Sequence, residues 1–396
     1  MENKIELAII YENPLLIDYY PYTFSKTTSR TCMGINTIDD FYSALLGYYG
    51  IPNIAIVEGE KSLKGNIAPL LQKENGEYFE NILFIALGYI PTLEEIEDNY
   101  SCENKEGRLL TYINLNKIKN KPNTISDVFK INYTNLSKPE GLLLSSINDI
   151  INYNNKAIEI NGEYAIPEED LRKTMYNIKC TGDIYNLYIH KESIISPEAV
   201  FNTTKGKIII DENAEIKPFS YIEGPAYIGK NCIIDNAKIY GGSSIIYNSY
   251  VSGIIDNSII MSHTVVHPYV NLKRCAVGEM SEIEPMTSAI AKANEKNISI
   301  GAYTKILSGS IISPETVIGF GSELKPNNTN YPIEIPPFVS GVNGVLEEVA
   351  QESLLERVTK HSDERNVELE ENEINILKKL HEKSRSPRQD FLNSIL

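Results

Sequence analysis

The sequence contains no tryptophan, and its few cysteines are widely scattered. Its 396 residues include five cysteines, at Cys32, Cys102, Cys180, Cys232 and Cys275, and no two of them form a CxxC pair. This spacing argues against a zinc site. An odd, widely spaced set of cysteines is typical of reduced thiols in a cytoplasm.

The sequence also lacks long hydrophobic runs and has fewer positive than negative charges. No run reaches the roughly 18–20 apolar residues of a membrane span, and the opening residues lack a cationic leader followed by an apolar stretch. Lys and Arg number 37 against 53 Asp and Glu, which gives a net charge of -16. Because an acidic surface repels phosphates, we expect a soluble cytoplasmic protein that binds neither nucleic acid nor membranes.

The common catalytic motifs are missing as well. The sequence has no P-loop, GxGxxG, HExxH or GxSxG motif. A phosphate site would need backbone N–H groups with Lys or Arg, and the polar stretch 21–38 after the first predicted strand offers Lys26, Arg30 and Gly34. This stretch is either a phosphate-binding loop or an ordinary polar loop.

A six-residue repeat dominates the second half of the chain. Aliphatic residues recur at this spacing in two runs: Ile210, Ile216, Ile222, Ile228, Ile234, Tyr240 and Ile246, then Ile300, Ile306, Ile312, Ile318 and Leu324. Small residues follow most of them at the fourth position, as at Ala214 and Ser220. Each hexapeptide makes one short strand and one corner, so the coils must stack to bury their apolar face. The pattern predicts a left-handed parallel β-helix from about 190 to 330.

Between the two runs the register is less regular. Ile254, Ile260, Val266 and Leu272 keep the spacing, Val277 arrives one residue early, and 289–299 breaks the pattern. We expect this last segment to leave the β-helix as a loop. Cys232 and Cys275 stand at positions that favour small residues, which indicates packing.

The remaining segments have other patterns. Apolar runs at 5–11, 54–57 and 82–87 predict buried strands, and helical spacing at 38–49, 92–99 and 142–160 predicts an α/β domain. Helical spacing returns at 345–362 and 369–383. We interpret the charged residues Lys383, Arg385 and Arg388 as a solvated tail.

These patterns divide the chain into four parts. We expect an α/β domain over 1–160, a connector over 161–192, the β-helix over 193–335 and a helical tail over 336–396.

Two histidines, His263 and His267, lie close together in the predicted β-helix. Histidine suits general-base catalysis because its ordinary pKa lies near the working pH. The alternative is a solvated or core-edge role for both.

Four stretches resemble one known family. They are YPYTFSK through GINTI in the region 20–38, GYIPT at 88–92, NTTKGKIIIDENAEIKPFSYIEGPAYIG at 202–229, and DERNVELEENEINILKKLHEKS at 363–384. Together they resemble GlmU-like sugar nucleotidyltransferases over about 8–384. Members are described as UDP-N-acetylglucosamine diphosphorylases or glucosamine-1-phosphate N-acetyltransferase-like proteins, with a nucleotidyltransferase-like α/β domain before a left-handed β-helix.

The resemblance implies a nucleotidyl transfer. A sugar-1-phosphate would attack a nucleoside triphosphate, UTP or dTTP, with Mg²⁺ offsetting charge and pyrophosphate leaving. Lys26, which matches a family arginine, would bind the phosphates with Arg30 and Gly34. Asp18 and Glu12 are candidate carboxylates for the metal, whose ligands the sequence does not identify.

The β-helix implies a second activity and an assembly. Acyltransferases of this fold use a histidine as general base, so His267 would act on acetyl-CoA and an amino sugar phosphate, with His263, Thr287 and Asn294 nearby. Family glycines are replaced here by Glu284, Pro285 and Met286. The fold also implies a homotrimer. A third hypothesis is a non-catalytic protein that binds a nucleotide sugar.

Overall fold

The computed structural model describes residues 4–59, 62–131, 136–162, 178–326, 331–342, 345–365 and 367–395. The chain forms two compact units. The N-terminal unit comprises Met1–Tyr20, Lys26–Thr31 and Thr37–Asp149, and the solenoid unit comprises Pro21–Ser25, Cys32–Asn36 and Ile150–Leu396. Among the described residues, no helix combines the length and apolar character needed to cross a membrane.

The N-terminal unit is built on a six-stranded mixed sheet. Its strands are β1 (Leu7–Tyr11), β2 (Asn53–Val57), β3 (Asn81–Ala86), β4 (Ser101–Glu103), β5 (Arg108–Asn114) and β6 (Leu136–Ser137), in the order β2-β1-β3-β5-β4-β6. The central strands β1 and β3 are buried along their whole length and pair in parallel. The strands predicted at 5–11, 54–57 and 82–87 are therefore confirmed.

Helices follow these strands, and α1, α2 and α3 begin with capping boxes. They are α1 (Ile38–Tyr48), α2 (Leu93–Glu97), α3 (Ile125–Lys130) and α4 (Ile147–Gly162), with single 3-10 turns at Tyr22–Phe24, Thr28–Arg30, Ala68–Leu71, Leu115–Lys117 and Ile184–Asn186. Thr37, Thr92 and Thr124 each start a helix by bonding reciprocally with an acidic side chain three residues later. Two separate two-stranded sheets are also present. Cys32–Met33 pairs with Asn36–Thr37, and Tyr89–Ile90 pairs with Leu142–Leu143. The helix predicted at 142–160 is wrong at its start because Leu142–Leu143 is a strand.

The solenoid unit is a left-handed parallel β-helix with three faces. Face 1 is a continuous sheet of nine parallel strands: Leu187–Ile189, Ile208–Ile210, Ala226–Ile228, Ser243–Ile245, Ile259–Ile260, Cys275–Val277, Ile298–Ile300, Val317–Ile318 and Glu334–Ile335. Each strand lies one coil above its predecessor and repeats its register, as in the pair Ile210 and Ile228. The predicted β-helix is confirmed.

The other two faces share strands that bend around a corner. Face 2 contains Ile194–Ile195, Glu215–Ile216, Ile233–Ile234, the starts of Tyr250–Asp256 and Val265–Lys273, Glu282–Ile283, Lys305–Ile306, Glu323–Leu324 and Val339–Val342. Face 3 contains Lys179–Thr181, Val200–Asn202, Tyr221–Glu223, Lys238–Ile239, the ends of the same two bent strands, Ser288–Ile290 and Ile311–Ile312. The loop predicted at 289–299 is shorter than expected and lies between Ser288–Ile290 and Ile298–Ile300.

One core runs through the centre of the solenoid. Ile216, Ile222, Ile228 and Ile234 point inward at full or nearly full burial, as their spacing predicts. Burial of such a side chain contributes about 1.5–3 kcal/mol before the entropy of ordering is subtracted. Cys232 and Cys275 are also buried in this core, which confirms their packing role.

The predicted register is wrong between Ile234 and Ile260, and it is correct again at Ile260, Val266 and Leu272. The next large inward residue after Ile234 is Ile239, so Tyr240 faces outward. The core then contains Ile245 and Ile255 rather than Ile246 and Ile254. The first corner that is one residue shorter than the repeat therefore lies between Ile234 and Ile239, well before Val277. Asn236 in this corner adopts the left-handed conformation, with φ 48°. Adjacent apolar residues at these sites allow either register by sequence alone, and the stacking of neighbouring coils selects one.

The chain ends in a strand and three helices. Val345–Glu348 pairs antiparallel with Val339–Val342 and is followed by α5 (Gln351–Glu364), α6 (Glu371–Lys383) and α7 (Arg385–Ile395). The helix predicted at 345–362 therefore starts later than expected.

The interpretation of Lys383, Arg385 and Arg388 as a solvated tail holds only for the first two. Arg388 is fully buried in α7, where it donates to Glu348 and to the His381 carbonyl. Arg385 and Arg388 are three residues apart in α7, and of the two Arg388 faces inward.

Candidate functional site

The candidate site lies on the outer surface of face 2. Val266, Ile283 and Ile306 fill the core from consecutive coils. Because side chains alternate along a strand, their neighbours in sequence point outward. The parallel register then stacks Glu282 against Lys305 and places His267 one coil away.

Glu282 is the centre of this arrangement. Its Oε1 lies 3.0 Å from His267 Nε2, and its Oε2 lies 2.9 Å from His361 Nε2 and 3.0 Å from Lys305 Nζ. Lys305 Nζ also lies 3.0 Å from Glu284 Oε1. We call these five residues the Glu282 cluster.

Helix α5 contributes His361 because its apolar face packs on the solenoid. Leu354 and Val358 are buried, and His361 follows on the same face at 7% exposure. Arg357, on the same helix, donates to the carbonyl oxygens of Gly321 and Tyr303. These bonds hold the helix over face 2 and fix the position of His361.

The cluster is arranged to keep the Glu282 carboxyl ionised. Hydrogen bonds from His267 and then from His361 hold the pKa of Glu282 well below its usual range, with Lys305 adding to the effect against the opposing cost of burial. An ionised carboxylate only accepts hydrogen bonds, so each histidine presents Nε2–H to it. The neutral His267 ring then carries its lone pair on Nδ1.

This geometry suits proton transfer at His267. Its side chain is 32% exposed, whereas that of Glu282 is 17% exposed. A carboxylate bonded to one ring nitrogen orients the imidazole and stabilises it once the other nitrogen has taken a proton.

The other predicted acyl-site residues lie at different places. His263 occupies a corner at φ 56°, with Nε2 3.4 Å from Asn248 Nδ2 and its ring against Tyr247. Thr287 is buried and donates to the Leu307 carbonyl, and Asn294 is exposed in the loop before Ile298. Of the four predicted residues, His267 is the one that joins the Glu282 cluster.

The predicted phosphate residues are divided between the two units. Lys26 and Arg30 are exposed in the N-terminal unit, where Arg30 Nε lies 3.5 Å from Asp39 Oδ2. Gly34 belongs to the solenoid unit and donates its N–H to Asn154 Oδ1 at 2.7 Å. Their role in binding phosphate stays a prediction.

The candidate metal carboxylates have protein partners. Glu12 accepts the Thr28 hydroxyl at 2.6 Å and the Gly59 N–H at 2.7 Å, and Asp18 accepts the Tyr20 N–H at 3.0 Å. No group of three or more His, Cys, Asp or Glu side chains within the described ranges could hold a metal ion. Binding of Mg²⁺ at Glu12 and Asp18 stays a prediction, since one or two carboxylates with substrate phosphates are enough to bind this ion.

Sequence reasoning missed Glu282, Lys305 and His361. One signal was available, because His361 continues the apolar spacing of Leu354 and Val358 and a histidine on a buried helix face needs a polar partner. Its partner lies 79 residues earlier in the chain, and only the stacked coils bring the two together.

Comparisons with known proteins give fold-level likeness alone. No family model matches the chain, and no curated protein matches it. The solved UDP-N-acetylglucosamine acyltransferase of Francisella novicida is 17% identical over 50% of this chain and 86% of that one, with a TM-score of 0.28. The corresponding enzyme of Campylobacter jejuni is 14% identical over 50% and 96%, with a TM-score of 0.26. A hexapeptide transferase family protein of Anaplasma phagocytophilum is 13% identical over 48% and 96%, with a TM-score of 0.22.

Proposed function

We propose that this protein is an acyltransferase in which His267 is the general base and Glu282 positions it. The observation that supports this is the bond between the ionised Glu282 carboxylate and His267 Nε2, which leaves Nδ1 to accept a proton. The resemblance described above suggests acetyl-CoA as donor and an amino sugar phosphate as acceptor.

In the proposed reaction His267 Nδ1 takes the proton of the acceptor amine as its nitrogen attacks the thioester carbonyl. The C–N bond forms, the tetrahedral intermediate collapses, and the C–S bond breaks. The imidazolium then returns its proton to the leaving thiolate, so the base is regenerated. Glu282 stays ionised throughout and stabilises the imidazolium.

The test is release of free thiol from acetyl-CoA with an amino sugar phosphate as acceptor. We expect His267→Asn to lower kcat by about 10²- to 10⁴-fold with a small change in KM for acetyl-CoA, because proton transfer is lost and binding is kept. His263→Asn is the matched control and should keep most of the activity. Equal losses in both variants, or full activity of His267→Asn, would contradict the proposal.

Nucleotidyl transfer is the second candidate, favoured by the exposure of Lys26 and Arg30 on the segment after β1. Parallel sheets bind ligands beyond the carboxyl ends of their strands, which is where this segment begins. Pyrophosphate release from UTP or dTTP with Mg²⁺ and a panel of sugar-1-phosphates tests it. Turnover that Lys26→Ala abolishes would establish this activity, and absence of both activities in folded protein would favour a non-catalytic binding protein.

A further inference from the structure

A polar groove opens on the solenoid unit, and its floor is on face 3 rather than face 2. It has a volume of about 350 Å³ and is lined by Asn155, Lys205, Glu223, Gly224, Pro225, Tyr240, Gly241, Gly242 and Asp256. Its volume is at the lower end of the range for small-molecule sites. The Glu282 cluster does not contribute to it.

The solenoid geometry places three functional groups in one row. Ile222, Ile239 and Ile255 point into the core from consecutive coils. The residues that follow them, Glu223, Tyr240 and Asp256, therefore point outward one above another, separated by the roughly 4.8 Å spacing of parallel strands. A tyrosine thus stands between two acidic residues in this row.

Each carboxylate is already neutralised by a lysine. Lys205 Nζ lies 2.9 Å from Glu223 Oε1, and Lys273 Nζ lies 2.6 Å from Asp256 Oδ2. A charged ligand would have to compete with one of these ion pairs. A neutral ligand with several hydroxyl groups would instead accept from the lysines and donate to the carboxylates without separating them.

Tyr240 supplies the apolar part of the groove. Its ring is half-buried and lies at 5.8 Å, centroid to centroid, from the ring of Tyr221. A ring held in this way offers an apolar face to the C–H groups of a sugar, while its hydroxyl remains polar. The neighbouring glycines Gly241 and Gly242 carry no side chain that would cover this face.

We propose that this groove binds an uncharged carbohydrate, with Glu223 and Asp256 accepting from its hydroxyl groups and Tyr240 packing against its ring. The site is separate from the proposed acyl transfer at His267 and does not depend on it.

Saturation-transfer difference NMR on the full chain tests this, with glucose and maltose as neutral probes and glucose-6-phosphate and glucosamine as charged ones. We expect signal from the neutral sugars, and a dissociation constant about tenfold higher in Glu223→Gln and in Asp256→Asn, since each loses a charge-assisted hydrogen bond. Both substitutions keep the shape of the side chain, so we expect the solenoid to stay folded, which circular dichroism of each variant checks. Tyr240→Ala should abolish the signal.

Tyr185→Ala is the matched control, because Tyr185 is 74% exposed and lies outside the groove. Absence of signal from both neutral sugars with the wild-type protein would overturn the proposal. Signal that survives all three groove substitutions, or that Tyr185→Ala removes equally, would place the binding elsewhere. Preferential binding of either charged probe would show that the ligand class is wrong.

Discussion

Glu282 accepts hydrogen bonds from side chains on three separate segments of the chain: His267, Lys305 and His361. A carboxylate has enough lone pairs for all three donors, whereas an amide has one acceptor oxygen and an NH₂ group that would face a donor. The charge of this residue, and not only its shape, therefore holds the cluster together.

We predict that Glu282→Gln lowers the free energy of unfolding by about 2–4 kcal/mol, because partly buried donors lose their acceptor. Urea denaturation measures this. Glu284→Gln is the matched control, since Glu284 shares Lys305 but neither histidine, and its effect should be smaller. Equal effects of the two substitutions would show that the histidine bonds contribute little.

We also predict that the Glu282 carboxylate makes the free energy of unfolding depend on pH. The pKa of Glu282 is lower in the folded protein than in the unfolded chain. Its contribution to the free energy of unfolding is therefore fully present above the ordinary pKa of a glutamate, near 4.3. The unfolded chain binds the proton first as the pH falls, so this stability declines below about pH 5. Urea denaturation between about pH 3 and pH 6 should show a steeper decline for the wild-type protein than for Glu282→Gln.

At the scale of the structural element, register and helix orientation are the properties that the sequence leaves open. Adjacent apolar residues, as at Ile254 and Ile255, fit the repeat in either of two registers. The stacked coils bury Ile255 completely and leave Ile254 at 36% exposure. The spacing of six correctly predicted the inward residues up to Ile234 and after Ile300, where successive coils keep the six-residue interval.

The register has a direct test. We predict that Ile255→Ala costs about 2–5 kcal/mol, because it leaves a cavity in the core. Ile254→Ala should cost less than about 1 kcal/mol. Urea denaturation of the two variants measures both values. The reverse order would support the register expected from the hexapeptide spacing alone.

Helix α7 offers a similar comparison between two arginines. Arg388 is fully buried and paired with Glu348, and Arg385 is exposed. Removing one partner of a buried pair leaves the other without compensation, so we expect Arg388→Ala to cost about 3 kcal/mol. Arg385→Ala should change stability by less than about 0.5 kcal/mol. Thermal unfolding of the two variants distinguishes a docked helix from a solvated tail.

At the scale of the whole molecule, one corner of the solenoid exposes large apolar side chains. Phe219, Tyr269 and Met286 occupy equivalent positions between faces 2 and 3, at 72%, 80% and 69% exposure. Exposed apolar groups on one edge are typical of an interface between protein chains. They support the expectation of a homotrimer, which the fold suggests.

Light scattering tests the assembly. We predict a mass three times that of the 44.5 kDa chain. Met286→Glu should shift the distribution towards the monomer, because a charge would be buried at the interface. Glu315→Gln, a surface substitution at another corner, should leave the mass unchanged. A monomer in the wild-type protein would contradict the prediction.

The sequence by itself determined the β-helix, the alternation of strands and helices in the N-terminal unit, and His267 as a residue of interest. These follow from local periodicity, which reports which side chains must be buried whatever the rest of the chain does. Only the tertiary structure decided the register between Ile234 and Ile260, the burial of Arg388 and the partners of Glu282. The physical reason is that each of these depends on contacts between residues distant in sequence, made when successive coils stack and the terminal helices pack.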